Sequence, residues 1–295
     1  MSQTSSPSGG RPYGLARTCQ ILEIARSTVY ATRVRRLRPV PLHKRGPKTA
    51  WTDPELTDHI RRVLAASPFV GEGHRKAWAR LRVAGIRTSK ARVLRLMRAA
   101  GLLAPTRVGH PHGPQAHAGT IIPDQPDAMW GTDATSCLTD EGTATVFIAI
   151  DHFTAECVGI HAARHGTRFE ALEPLRQGIR QHFGVYRADV AAGLSLRHDH
   201  GSQFMSDVFQ AELRFLGITS SPAFVREPEG NGCSERFIRT LKEQLLWLEH
   251  FATVEELRQA LLAFKDRYNR DWLIQRHGHR SPAAVRATFA LPAAA

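Results

Sequence analysis

Residues 143–151, TATVFIAID, form a near-continuous apolar run with several β-branched side chains. Such a run is too short to cross a bilayer as a helix and suits a buried strand. ECVGIHA (156–162) is its candidate neighbour. Beyond it, Thr167 and Glu170 stand at capping-box spacing before a helix carrying Leu172, Leu175, Ile179 and Phe183, with Pro174 expected to bend it. LSLRHD (194–199) alternates, with Leu194, Leu196 and His198 on one face and Ser195, Arg197 and Asp199 on the other. A helix near 205–216, a short strand at 217–221, a Pro/Gly loop and a helix near 231–248 follow. Thr253 and Glu256 then cap a last long helix through Leu257, Leu261, Phe264 and Tyr268. Strands first, then strand and helix in alternation, predict an α/β domain: a mixed sheet flanked by helices.

The region ahead of this domain has a different composition. Residues 1–112 hold 22 Lys and Arg against five Asp and Glu, whereas the remainder is slightly acidic. A basic front on a differently charged body suits an arm that binds a polyanion. Residues 1–12 are rich in Ser, Gly and Pro and are expected to be disordered. Leu15, Cys19 and Leu22 recur at helical spacing, Ser27 is a candidate cap for a second short helix, and Arg33–Lys48 reads as a basic tether broken by prolines. A second unit holds HRKAWARLRVAG, a helix stopped by Gly85, with Thr88 or Ser89 as cap of the next. That next helix buries Val93, Leu96, Met97 and Ala100 on one stripe and presents Lys90, Arg92, Arg95 and Arg98 around it. Two helices, a Gly-containing turn and a cationic second helix fit a helix-turn-helix DNA reader. The expected organisation is a basic helical segment and tether (1–48), a helix-turn-helix domain (49–107), a linker (108–125), the α/β core (126–250) and a helical extension (251–295).

Several classes are excluded. No apolar run spans a bilayer, and the N-terminus has no signal-like apolar segment, so a cytoplasmic protein is expected. Cys19, Cys137, Cys157 and Cys233 are far apart, which argues against a zinc site or a disulfide framework. The linker histidines lack cysteine partners and read as solvated.

Three carboxylates stand out by context. Asp133 lies in MWGTDATS at the expected first strand, Asp199 ends a strand in RHDHGSQF, and Glu235 sits in the first turns of the helix begun by EGNGCSERFIRTLK. Thirty-five residues separate the last two. Phosphodiester chemistry gives such acids a reason to converge, because Mg²⁺ takes oxygen ligands. Two such ions can activate an attacking oxygen and neutralise a leaving one. Asn231, Glu235, Arg239 and Lys242 follow at intervals of four, four and three, which predicts one helix face laid against a DNA backbone.

At these residues the chain resembles the integrase-like transposases of bacterial insertion sequences, and more closely the second-frame (OrfB) product of the insertion-sequence-three family, relatives of retroviral integrases. The acidic pattern matches at Asp133, Asp199 and Glu235, with Lys242 seven positions beyond the Glu. WGTDAT, DHGSQF, NGCSERFIRTLK, the helix-turn-helix and an ending with Tyr268, Asn269, Arg276, His277, Ser281 and Pro282 match as well. His198, His200 and Ser234 stand where the family often has other residues. The resemblance implies an RNase H-like fold with a five-stranded mixed sheet, and catalysis by Asp133, Asp199 and Glu235 holding two Mg²⁺ or Mn²⁺ ions. It also implies recognition of terminal inverted repeats and target DNA, a homo-oligomer on DNA, and an upstream-frame (OrfA) product as partner or fusion. Asp151 is expected to be an accessory or structural acid. The alternatives are a catalytically silent DNA-binding regulator and a ribonuclease H-like nuclease.

Overall fold

The computed structural model describes residues 4–37, 50–105, 123–223 and 231–289. The chain divides into two compact units, Met1–Ala50 and Trp51–Ala295. In the first, helices α1 (Gly14–Ile21) and α2 (Arg26–Leu37) follow one another, and Cys19 is buried. Ser27 lies inside α2 rather than capping it, and the start of the expected tether, Arg33 to Leu37, is helical. The rest of that tether lies outside the described residues, as do most of the expected 108–125 linker and the Pro/Gly loop before Asn231.

The second unit opens with three helices, α3 (Asp53–Ala65), α4 (His74–Val83) and α5 (Lys90–Ala99). Thr52 and Glu55 form a full capping box on α3, and Ser89 caps α5 by accepting from the Arg92 amide. Gly85 and Gly101 take φ of +79° and +67° just past α4 and α5, the left-handed geometry that ends a helix most cheaply at glycine. Leu56, Ile60, Ala77, Leu81, Val93, Leu96 and Met97 close a core of their own.

A five-stranded sheet follows. Strands β1 (Met129–Thr139), β2 (Gly142–Asp151) and β3 (Cys157–Ala163) form an antiparallel meander, and α6 (Arg168–Phe183) leaves it. β4 (Ser195–His198) returns parallel to β1, and β5 (Thr219–Pro222) lies parallel to β4, giving the order β3-β2-β1-β4-β5. Two helices sit between β4 and β5, α7 (Ser202–Met205) and α8 (Asp207–Leu216), where one was expected; Ser206 breaks them and caps α8. After β5 come α9 (Gly232–Leu241), a π-helical turn (Lys242–Leu246), α10 (Val254–Asp271) and α11 (Pro282–Arg286). This mixed sheet with helices on both faces is the RNase H-like arrangement.

The unbroken apolar run of β2 has a direct cause. Val146, Ile148 and Ile150 enter the core under α9 and α10, while Phe147 and Ala149 enter the one under α6 and α8. Alternate residues point to opposite faces, and here both faces are covered. Arg197 is buried on β4 for the same reason, although alternation alone placed it on a polar face. α10 contributes Leu257, Leu261 and Phe264 to the same cluster as β2. Helix α6 rides close to the sheet because of two glycines. A Cβ on Gly159 would stand 1.9 Å from the Pro174 carbonyl oxygen, and one on Gly178 would meet the Trp130 ring at 2.7 Å.

The three-helix domain touches the core at the π-helical turn and beyond α10. Phe69 meets Trp272 edge-on at 4.8 Å, and the Lys76 ammonium lies 2.8 Å from the centre of the Trp272 ring.

Candidate active site

The parallel pairing of β1 with β4 brings two distant acids to one level. Gly131 faces Arg197 in the register, so Asp133 and Asp199 each lie two residues further along their chains. Asp133 is half-buried on β1, and its Oδ1 accepts from the Ala134 amide at 2.8 Å. Asp199 follows the end of β4 and is exposed. Its Oδ1 accepts from the Gly201 amide at 2.8 Å, which turns the chain towards α7. His198, wholly buried, fixes that strand end: its Nε2 meets Ser220 Oγ at 2.9 Å and its Nδ1 the Asp199 carbonyl at 2.7 Å.

Glu235 comes from α9. The helix is tied to β1 just before its first turn, where Asn231 Nδ2 donates to the Thr132 carbonyl at 3.0 Å. Four residues on, Glu235 opens to solvent, and partial burial of its carboxyl raises its pKa. The apolar stripe of Phe237, Leu241 and Leu245 packs beneath, as its spacing predicts.

Electrostatics join these positions. Burial above all pushes the Asp133 carboxyl up to about 6, and the negative charges of Asp199 and Glu235 push the same way; the Ala134 amide and Lys242 oppose them. Three acids and one lysine therefore lie within electrostatic reach of a common place. An oxygen-only donor set burdened by like charge is the chemistry that a hard dication relieves, and Mg²⁺ commonly needs one or two carboxylates with the rest water and phosphate. Among the described residues no group of three or more His, Cys, Asp or Glu closes into a metal cage. The three carboxylates match a hard cation by donor type and charge alone.

The remaining candidates divide. Lys242 begins the π-helical turn, half-buried, an irregularity frequent at functional sites. Arg239 is exposed and pairs with Glu243 at 3.0 Å. Asn231 does not share the exposed face of Glu235: it precedes the helix, is 5% exposed, and spends its amide on β1. Its spacing was right for a helix face, but the helix starts one residue later. On α5, Arg92 and Arg95 both pair with Asp53 at the start of α3, each at 2.7 Å, with Arg92 half-buried and Arg95 exposed. Lys90 sits 4.5 Å from the Trp78 ring centre, and Arg98 is exposed. Asp151 is structural, as expected: it is wholly buried and accepts from the Thr154 amide and hydroxyl and from the Asp127 amide.

Gly131 and His152, which meet near Ser234, were not singled out, and Ser234 stood out only as a departure from the family pattern. A glycine inside a strand was the available signal, since it often marks close approach of another element.

An integrase core domain is matched at residues 123–228 and again at 216–282, and an HTH-like domain at 52–110. The transposase for insertion sequence element IS629 of Shigella sonnei is 27% identical over 286 residues, covering 94% of this chain and 93% of its own length. The transposase for element IS904 of Lactococcus lactis is 27% identical over 243 residues, covering 77% and 91%. Among solved structures, a simian T-cell lymphotropic virus intasome, in complex with a PP2A regulatory subunit, aligns at TM-score 0.48 and 18% identity over 74% of this chain and 73% of that one. By these matches the chain carries an integrase core domain behind an HTH-like domain and is similar to insertion-sequence transposases.

Proposed function

We propose that the chain is a DNA transposase that cleaves and joins strands at the ends of an insertion sequence. The observation that carries this is the electrostatic meeting of Asp133, Asp199 and Glu235 at one end of the β1–β4 pair, within an integrase core. In this reading the three carboxylates hold two Mg²⁺ or Mn²⁺ ions, which would neutralise charge on the attacking and leaving oxygens of an in-line displacement. Asp133, half-buried and with its carboxyl pushed up to about 6, would hold such an ion as its carboxylate. Lys242, already within the field of Asp133, steadies the scissile phosphate, and Arg239 the backbone beside it, exchanging its partner Glu243 for DNA. A water or a DNA 3′-hydroxyl is the nucleophile.

The HTH-like domain reads the terminal inverted repeats, with Lys90 and Arg98 of α5 placed for phosphate contact. The protein works as a homo-oligomer on DNA in the bacterial cytoplasm, with an upstream-frame product as partner or fusion. The test is cleavage of element-end DNA in Mg²⁺ by the protein supplied with that product. Asp199→Asn should abolish cleavage and leave DNA binding intact. Equal cleavage by this variant removes the mechanism, and metal-independent DNA binding without nicking by the wild type leaves a regulator.

A further inference from the structure

Gly131 lies on β1 two residues before Asp133. A Cβ built there would stand 2.5 Å from His152 Nε2, 2.5 Å from Ser234 Oγ and 2.7 Å from Asn231 Oδ1. The three atoms come from the turn after β2, the first turn of α9 and the residue before it. Their residues are 6%, 0% and 5% exposed, and none of the three atoms has a hydrogen-bond partner of good geometry. Buried polar atoms are seldom left so, because each then carries its full desolvation cost.

The three groups complement one another. Asn231 already commits its Nδ2 to the Thr132 carbonyl, so its Oδ1 is an acceptor in a fixed place. Ser234 Oγ–H can donate, and so can the imidazole in its Nε2–H tautomer. Since all three atoms surround one point at 2.5 to 2.7 Å, small rotations close both bonds onto Oδ1. The ring is available as a neutral donor, because burial first and Arg276 next lower its pKa to about 4, with the facing Asn231 opposing. The C-terminal segment holds the backbone of the turn that carries the ring: Arg276 Nη2 donates to the His152 and Phe153 carbonyls, and His277 Nε2 meets the Phe153 carbonyl at 2.7 Å.

We propose that Asn231, Ser234 and His152 form a buried latch that sets the position of Glu235 over Asp133, and that residue 131 must be glycine because the latch occupies the space of a side chain there. The three are positioning residues: Ser234 precedes Glu235, and Asn231 joins the helix of Glu235 to the strand of Asp133. The proposal rests on the function given above for the acids.

The test compares wild type, Asp133→Asn, Gly131→Ala, His152→Phe and His152→Gln in the full chain with its upstream product. Cleavage of element-end DNA is followed against Mn²⁺ concentration, alongside DNA affinity and thermal melting. Displacing a catalytic group by about an ångström costs up to ~100-fold in rate. Gly131→Ala and His152→Phe should therefore cleave at least about tenfold more slowly and need more Mn²⁺ for half-maximal rate, with DNA affinity unchanged. His152→Gln, whose amide nitrogen takes the place of Nε2, should recover most of the loss. Wild-type rates and Mn²⁺ midpoints in Gly131→Ala and His152→Phe, with Asp133→Asn inactive, overturn the latch and leave the function standing. A second readout is independent of activity: in ¹⁵N-histidine-labelled protein, His152 should be the Nε2–H tautomer with a slowly exchanging proton. The Nδ1–H tautomer overturns the latch even if no cleavage is found.

Discussion

Gln244 holds Val70 by both main-chain groups, accepting from its amide and donating to its carbonyl, each at 2.9 Å. One partner lies between α3 and α4 of the HTH-like domain and the other on the π-helical turn that begins at Lys242. A docked domain of this kind ties the position of the HTH-like domain to the turn that begins at Lys242.

The docking rests more on Trp272 than on this clip. Trp272 stacks on Tyr268 at 5.8 Å, takes Phe69 edge-on and lies under Lys76. Trp272→Ala should cost about 2–3 kcal/mol of the docking energy, and Gln244→Ala only about 1 kcal/mol. Differential scanning calorimetry should resolve a separate, earlier transition of the HTH-like domain in Trp272→Ala and a single broadened one in Gln244→Ala. A single unshifted peak in both variants would mean that the domains unfold independently of this contact.

The raised pKa of Asp133 makes a prediction about stability. Below about pH 4 the carboxyl is protonated in both states and nothing is lost. Between about pH 4 and 6 the unfolded chain releases its proton first, so stability falls as pH rises; above about 6 the whole penalty is present. The shift from 3.8 to about 6 sets a ceiling of about 3 kcal/mol, and solvent at the half-buried site brings this to about 1–2 kcal/mol. With divalent ions chelated, Asp133→Asn should melt higher than wild type near neutral pH and together with it near pH 4. Added Mn²⁺ should then stabilise the wild type and not the variant, which thermal melts at several pH values will read directly.

Arg286 joins the last helix to the sheet edge. It pairs with both oxygens of Asp127 and with Glu156, and lies 3.8 Å from Asp151. Burial raises the pKa of Glu156 and Asp151, and Arg286 offsets both. Arg286→Met leaves those buried acids uncompensated and should cost about 3–5 kcal/mol at neutral pH. The deficit should shrink as pH falls, because the acids, raised further without their cation, then take up protons. Urea titration at two pH values checks this, and a pH-independent deficit would assign the loss to packing.

Much of this arrangement was legible in the sequence where one periodicity decides it. The apolar run of β2, the α9 stripe and the caps at Ser89, Thr167 and Thr253 depend on local pattern, and they stand where the pattern puts them. Asp199 just past β4 and Glu235 in the first turns of α9 lie where the local pattern put them, and Asp133 lies within β1. What the residues could not reveal was partnering across long separations. Asn231 finds a carbonyl 99 residues away and Arg92 a carboxylate 39 away. His152 had no local signal, since its partners are met only when the turn after β2 and the start of α9 close on Gly131. Of the two reciprocal caps expected, Glu170 turned to His161 and Glu256 reached Ala252 in place of the cap residue.

The partnering on α5 separates two kinds of arginine in the HTH-like domain. Arg92 and Arg95 draw on Asp53, and their hydrogen bonds, that of Arg95 first, hold its carboxyl below its usual range. Arg98 is exposed and carries its charge outward. If α5 meets phosphates, Arg98→Gln should reduce the slope of log affinity against log salt by about 0.9 without changing the melting temperature. Arg92→Gln should lower the melting temperature, since it also loses the Trp51 carbonyl, and change the slope little. Asp53→Asn removes the ion-pair partner of both arginines, so it should weaken the domain and at the same time raise its affinity for duplexes of any sequence. Fluorescence anisotropy over a salt series with short duplexes measures all three variants. A slope altered by Arg92→Gln and not by Arg98→Gln would reverse the assignment and place the DNA on the Asp53 side of the helix.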